Sequence, residues 1–97
     1  MSERQFEWFF PSGMHIIKID TGFWKLEFNH TVINLSPHKY EYNDIIDGIT
    51  ITKTYRKPLA KPEEIDEIIK DYMEFFQNVR DKGELQIWFI KTFIYYL

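Results

Sequence analysis

The chain has 97 residues and a formal net charge of −3; 44% of its side chains are hydrophobic and 19% aromatic. That length suits one domain, the apolar content excludes a disordered chain, and the mild negative charge disfavours a general binder of DNA or anionic membranes. Cysteine is absent, which excludes a disulfide framework, a thiolate metal site and a thiol nucleophile.

Met1–Gln5 has no long apolar run behind it, so neither a secretion signal nor a membrane anchor is expected, and a cytoplasmic setting follows. Ile, Lys, Phe, Tyr and Asn are abundant, whereas Ala60 is the only alanine and arginine occurs only at Arg4, Arg56 and Arg80. The abundant residues have AT-rich codons, which points to a low-GC bacterium, its phages or an archaeal virus.

Gln5–Phe10 alternates and is aromatic until Pro11-Ser12-Gly13 interrupts it. Met14–Asp20 and Phe23–Phe28 flank Thr21-Gly22, a plausible two-residue hairpin turn. With that loop, Ile19 faces Trp24, Ile17 faces Leu26 and His15 faces Phe28. A four-residue loop from Pro11 to Met14 likewise sets Phe10 opposite His15, Trp8 opposite Ile17 and Phe6 opposite Ile19. A turn at Asn29-His30 adds Ile33 beside Leu26 and Leu35 beside Trp24, so four segments share one apolar face. After Ser36-Pro37, Lys39–Ile46 and Ile49–Arg56 form the clearest hairpin, joined by the type I′ signal Asp47-Gly48. Its register pairs Ile46 with Ile49, Tyr42 with Lys53 and Tyr40 with Tyr55, leaving Thr50, Thr52 and Thr54 on a mostly polar opposite face.

Lys57–Lys61 connects to a helix predicted over Pro62–Lys82. Ile65, Ile68, Ile69, Tyr72, Phe76 and Val79 recur at three-and-four spacing, widened by Met73 and Phe75. Pro62 suits the first helical position, Glu63, Glu64, Asp66 and Glu67 suit the positive dipole end, and Arg80 and Lys82 suit the negative end. Gly83 then serves as the left-handed terminator. In Leu85–Leu97, Leu85, Trp88, Phe89, Thr92, Phe93 and Tyr96 have helical spacing, but Ile87, Ile90, Ile94 and Tyr95 make the other side apolar too. The β-branched and aromatic content selects a strand, with a second helix as the alternative. The expected fold is therefore a single α+β domain over 1–97. An antiparallel β-meander of about six strands carries one long helix, 62–82, on its apolar face, and a C-terminal strand follows.

Chemistry-bearing motifs are scarce. His15, His30 and His38 lack the spacing of converging metal ligands, and Asp20, Asp44 and Asp47 are residues that turns favour. There is no nucleophile elbow and no phosphate-cradling glycine loop, so no catalytic residue, metal or cofactor is assigned. The proposed register puts Phe9, Ile16 and Val32 in one row on the outer sheet face around Glu27, with Phe23 near its end. Such a patch marks a partner surface. Phe89, Ile90 and Ile94 of the two-sided tail extend the candidate interface. The favoured function is a small non-enzymatic protein-binding domain, a regulator or inhibitor, whose partner is another protein or a second copy in a homodimer. A second reading is a single-stranded nucleic-acid binder using Lys18 and Lys25, which face each other in the proposed sheet, together with Arg56. A third places a small-ligand or catalytic pocket between sheet and helix beside His15.

Overall fold

The alternation from Phe6 onward becomes a sheet of six strands in the computed structural model, which describes residues 5–56 and 60–95. The strands are β1 (Phe6–Phe9), β2 (Met14–Asp20), β3 (Phe23–Phe28), β4 (Thr31–Leu35), β5 (Tyr40–Ile46) and β6 (Ile49–Tyr55). Each pairs antiparallel with the next, so the order across the sheet is the order along the chain, and β1 and β6 are its edges. Three helices and a π-helical turn follow: α1 (Pro62–Asp71), α2 (Met73–Gln77), α3 (Lys82–Phe89) and Ile90–Ile94. Connector residues 57–59 and positions 96 and 97 of the predicted C-terminal strand lie outside the described residues.

The core is one layer between the sheet and these helices. Met14, Ile16, Trp24, Leu26, Phe28, Ile33, Leu35, Tyr40 and Tyr42 meet Ile65, Ile69, Phe76, Val79, Leu85, Trp88 and Phe89, all buried. At one end of the layer Trp8 stacks on Trp24, with ring centroids 5.7 Å apart. At the other, Phe89 contacts Tyr40, Tyr42 and Tyr55, and Phe93 packs on Tyr40 and Trp88.

The β3–β4 and β5–β6 registers are those expected, with Leu26 opposite Ile33 and Ile46 opposite Ile49. Asp47 and Gly48 both have positive φ, 52° and 78°, as a type I′ turn requires. The β2 register differs. Asp20 pairs with Phe23 across the Thr21-Gly22 turn, but Lys18 pairs with Trp24, so Ile19 is the extra residue of a β-bulge. One inserted residue turns the remainder of the strand over. Met14 and Ile16 therefore point into the core, while His15 and Ile17 point outward. The β1–β2 register moves with it, Trp8 meeting Ile16 and Phe9 meeting His15.

The predicted helix over 62–82 is two helices followed by a non-helical link at 78–81, and only Lys82 is helical there, as the first residue of a third helix. Tyr72, at φ −105° and ψ 14°, separates α1 from α2. The chain leaves α2 at Asn78, whose amide donates back to the Glu74 carbonyl at 2.9 Å. Gly83 does not terminate a helix; it lies in the first turn of α3. The Asp81 carboxylate accepts the Glu84 N–H at 3.1 Å, and Glu84 accepts the Arg80 N–H at 2.7 Å. These side chains satisfy N–H groups at the start of α3. The C-terminal strand assignment is likewise corrected, because Leu85, Trp88 and Phe89 use their three-and-four spacing to enter the core from a helix. Burial of that stripe outweighs the modest strand preference of the β-branched residues around it.

Candidate interaction surface

Two buried carboxylates hold the scaffold on which any surface is displayed. Asp66 on α1 accepts the Gly22 N–H at 2.8 Å and the Trp24 indole N–H at 2.7 Å, with the Lys18 ammonium 3.3 Å away. Burial by itself raises the Asp66 carboxyl, but the bonds from Gly22, Trp24 and Lys18 outweigh it and bring the pKa below the ordinary aspartate value. The bulged hairpin thereby delivers a lysine, an indole and a turn amide to one acceptor. Gly22 is held tightly against α1: with φ +81°, an added Cβ would stand 2.7 Å from the Pro62 Cα. Asp44 on β5 accepts from the Ile45 N–H at 2.8 Å and from the Lys82 ammonium at 2.9 Å, with the Thr31 hydroxyl at 3.3 Å. Burial opposes its charge as well, yet these partners hold its pKa below the ordinary value. The lysine at the start of α3 is thus fastened to the sheet.

The outer sheet face keeps one strongly exposed apolar ring, Phe9 at 73%, but is mostly polar around it where a row of apolar residues was expected. Ile16 is fully buried, and His15 occupies its expected place beside Phe9 and Glu27. Phe9 stacks on the His15 ring at 4.1 Å. The His15 Nδ1 lies 2.9 Å from Glu27 and its Nε2 lies 2.7 Å from Glu7. Only a protonated ring donates to both carboxylates. Lys25 pairs with Glu27 at 3.1 Å. Burial raises the Glu27 carboxyl, but Lys25 and His15 together lower its pKa on balance. Across the sheet, the Asn43 amide donates to the Val32 carbonyl and Thr52 donates to Asn43, at 3.3 and 2.8 Å. Val32 is half-buried within this network, and Phe23 leans on His38 at the margin.

The remaining candidates scatter. Phe89 is 1% exposed and belongs to the core, so it offers nothing to a partner; Ile90 and Ile94 are partly buried against that core. Lys18 is not on the Lys25 side: the bulge puts it on the helix face, over the Trp24 ring and beside Asp66. Arg56 is exposed at the end of β6. The three cations therefore do not form one surface. A cavity of about 590 Å³ does lie between α1 and the C-terminal turn, lined by Glu63, Glu64, Glu67, Tyr72, Lys91 and Phe93 among others. His15 is on the other side of the sheet, so it neither lines this cavity nor lies between sheet and helix as expected. No group of three His, Asp or Glu among those residues could hold a metal ion, and no helix there is long and apolar enough to cross a membrane.

The exposed apolar side chains include Phe6, Phe9, Ile19, Tyr72, Ile87 and Tyr95, and four more, all isoleucines, sit together on the β5–β6 hairpin. Ile45, Ile46, Ile49 and Ile51 are 43%, 44%, 65% and 38% exposed. Every residue of β6 except Tyr55 is exposed, and nothing among the described residues pairs with its outer edge. Four isoleucines around a two-residue turn were a visible signal. No family model matches the chain, and neither a curated protein nor a solved structure is significantly similar to it.

Proposed function

We propose that this chain is a protein-binding domain that receives an extended polypeptide segment along β6. The observation that carries this reading is the coincidence of an open seven-residue edge with the exposed isoleucines of the hairpin. An unpaired edge offers a row of main-chain donors and acceptors, and apolar side chains beside it supply the desolvation that specific strand addition needs. The buried Asp44–Lys82 and Asp66 contacts stiffen the platform, which favours binding without a large ordering cost. In this reading the domain acts in the cytoplasm as a small regulator or inhibitor with no chemistry of its own. Lys18 is engaged by Asp66 and Lys25 by Glu27, which disfavours the nucleic-acid alternative.

Selection from a displayed library of extended peptides tests it. The wild-type chain should enrich β-prone peptides whose amide shifts map to β6, and an Ile46→Lys/Ile49→Lys variant should lose them. Equal enrichment by both proteins, or shifts confined to the cavity or the outer face, would refute the assignment. Salt-sensitive capture of single-stranded oligonucleotides, abolished by Arg56→Ala, would replace it with the nucleic-acid reading.

A further inference from the structure

We infer that the strand β6 receives is β6 of a second copy, paired antiparallel about a two-fold axis at Thr52. This rests on reading the hairpin as the contact surface and goes further by naming what occupies it. The Ile46–Ile49 pair closes a two-residue turn, so those residues exchange hydrogen bonds within the hairpin. Alternation then directs the N–H and C=O of Ile49, Ile51, Lys53 and Tyr55 toward β5, and those of Thr50, Thr52 and Thr54 toward the open edge. An axis at Thr52 matches the three threonines of one copy to the three of the other, Thr52 with Thr52 and Thr50 with Thr54. Each of these pairs exchanges two main-chain bonds. All seven strand residues find a partner.

The side chains select the same register. On the helix side, Ile49, the most exposed of the isoleucines at 65%, falls opposite Tyr55 of the second copy. Tyr55 already packs on Phe89 at 5.9 Å, so each Ile49 extends the other copy's aromatic cluster. Lys53 falls opposite Ile51 and lays its stem along an apolar side chain. A shift that centres the axis on Lys53 sets two ammonium groups face to face, and one that centres it on Ile51 leaves only five pairs within the strands. Charge agrees as well: the Asp47 end of one hairpin meets the Arg56 end of the other, so the chain's net negative charge is not concentrated at the contact. The outer face stays polar across the joint, with Asn43, Thr52, Thr52 and Asn43 in one row. A single strand pair buries less than a standard interface, so the association belongs to the weak, reversible class.

Sedimentation from micromolar to near-millimolar protein should show a monomer–dimer equilibrium. Thr52→Pro removes an N–H that faces solvent in the monomer, so the fold and its melting temperature should hold while self-association weakens at least about tenfold. The natural chain has no cysteine, which makes single-cysteine variants clean reporters. A short bismaleimide should join Thr52→Cys copies, about 5.5 Å apart between Cα atoms, far more readily than Thr50→Cys copies at roughly 14 Å. A dimer that survives Thr52→Pro, or equal cross-linking at both positions, would overturn the pairing. A strictly monomeric chain that still selects peptides at β6 would overturn self-pairing and leave the binding reading standing; a monomer that selects none would remove both.

Discussion

Asp66→Ala takes away the carboxylate that receives the Gly22 N–H, the Trp24 indole N–H and the Lys18 ammonium. Gly22 is buried and Trp24 is 2% exposed, so water cannot easily replace the lost acceptor. Each orphaned neutral donor costs about 1–3 kcal/mol. Lys18 can turn toward solvent and adds at most about 1 kcal/mol. The sum is about 2–7 kcal/mol, a large part of the roughly 5–15 kcal/mol expected for a domain of this size. Asp66→Asn keeps an acceptor for both N–H groups but sets an amide donor against Lys18, and should cost about 1–2 kcal/mol. Urea unfolding followed by tryptophan fluorescence measures both variants. A loss below about 1 kcal/mol for alanine, or a greater loss for asparagine than for alanine, would show that Asp66 does not join helix to hairpin.

The same carboxylate has a pH signature. Its folded pKa lies below the unfolded value, so its contribution is fully present above the unfolded pKa of about 3.9 and is lost as pH falls through the folded pKa. The wild type should therefore lose more stability than Asp66→Asn as pH falls below about 4. Parallel losses in the two proteins would contradict the depressed pKa.

Ile69 is fully buried and Asp71 exposed, so Ile69→Asp should abolish folding while Asp71→Ala shifts stability by less than about 0.5 kcal/mol; similar melting temperatures would contradict the buried face of α1. Gly22 and Gly48 have nearly the same φ, but a Cβ at Gly48 meets nothing within 4 Å, whereas at Gly22 it meets Pro62. Thermal melts should therefore rank Gly22→Ala well below Gly48→Ala, which costs about 1–2 kcal/mol from its left-handed backbone alone. Phe89→Ala should cost about 3–5 kcal/mol by leaving a cavity among Tyr40, Tyr42 and Tyr55, and a chain ending at Gly83 should not fold; a cooperative transition in the shortened chain would place α3 outside the core.

Local sequence sufficed where neighbours in the chain are neighbours in space. Asp47-Gly48 dictated a two-residue turn, and a two-residue turn leaves one register for β5 and β6. The alternation of Trp24, Leu26 and Phe28 with Lys25 and Glu27 settled the faces of β3, and Ile65, Ile69 and Phe76 marked the buried side of the helical region. The meander order followed from these short connections. β2 was a different case, because Met14, Ile16 and Lys18 compete with His15, Ile17 and Ile19 for the core. Counting apolar side chains favours the wrong set. The bulge at Ile19 turns the strand, burying Met14 and Ile16 and bringing Lys18 to a carboxylate 48 positions later, and no local pattern announces it. Two expected site residues moved with it: Ile16 entered the core, and Lys18 left the side of the sheet that holds Lys25. The tail was assigned as a strand and is helical for a related reason, since its local preference for strand yielded to a buried helical stripe that exists only once β5 and β6 supply Tyr40, Tyr42 and Tyr55. The four hairpin isoleucines were legible as residues, but their exposure depended on where the helices came to rest. Alternation and turn residues determine which strands form and which neighbours pair; the choice between two apolar faces of one strand, and between strand and helix in the tail, belongs to the tertiary structure, because the deciding contacts are long-range.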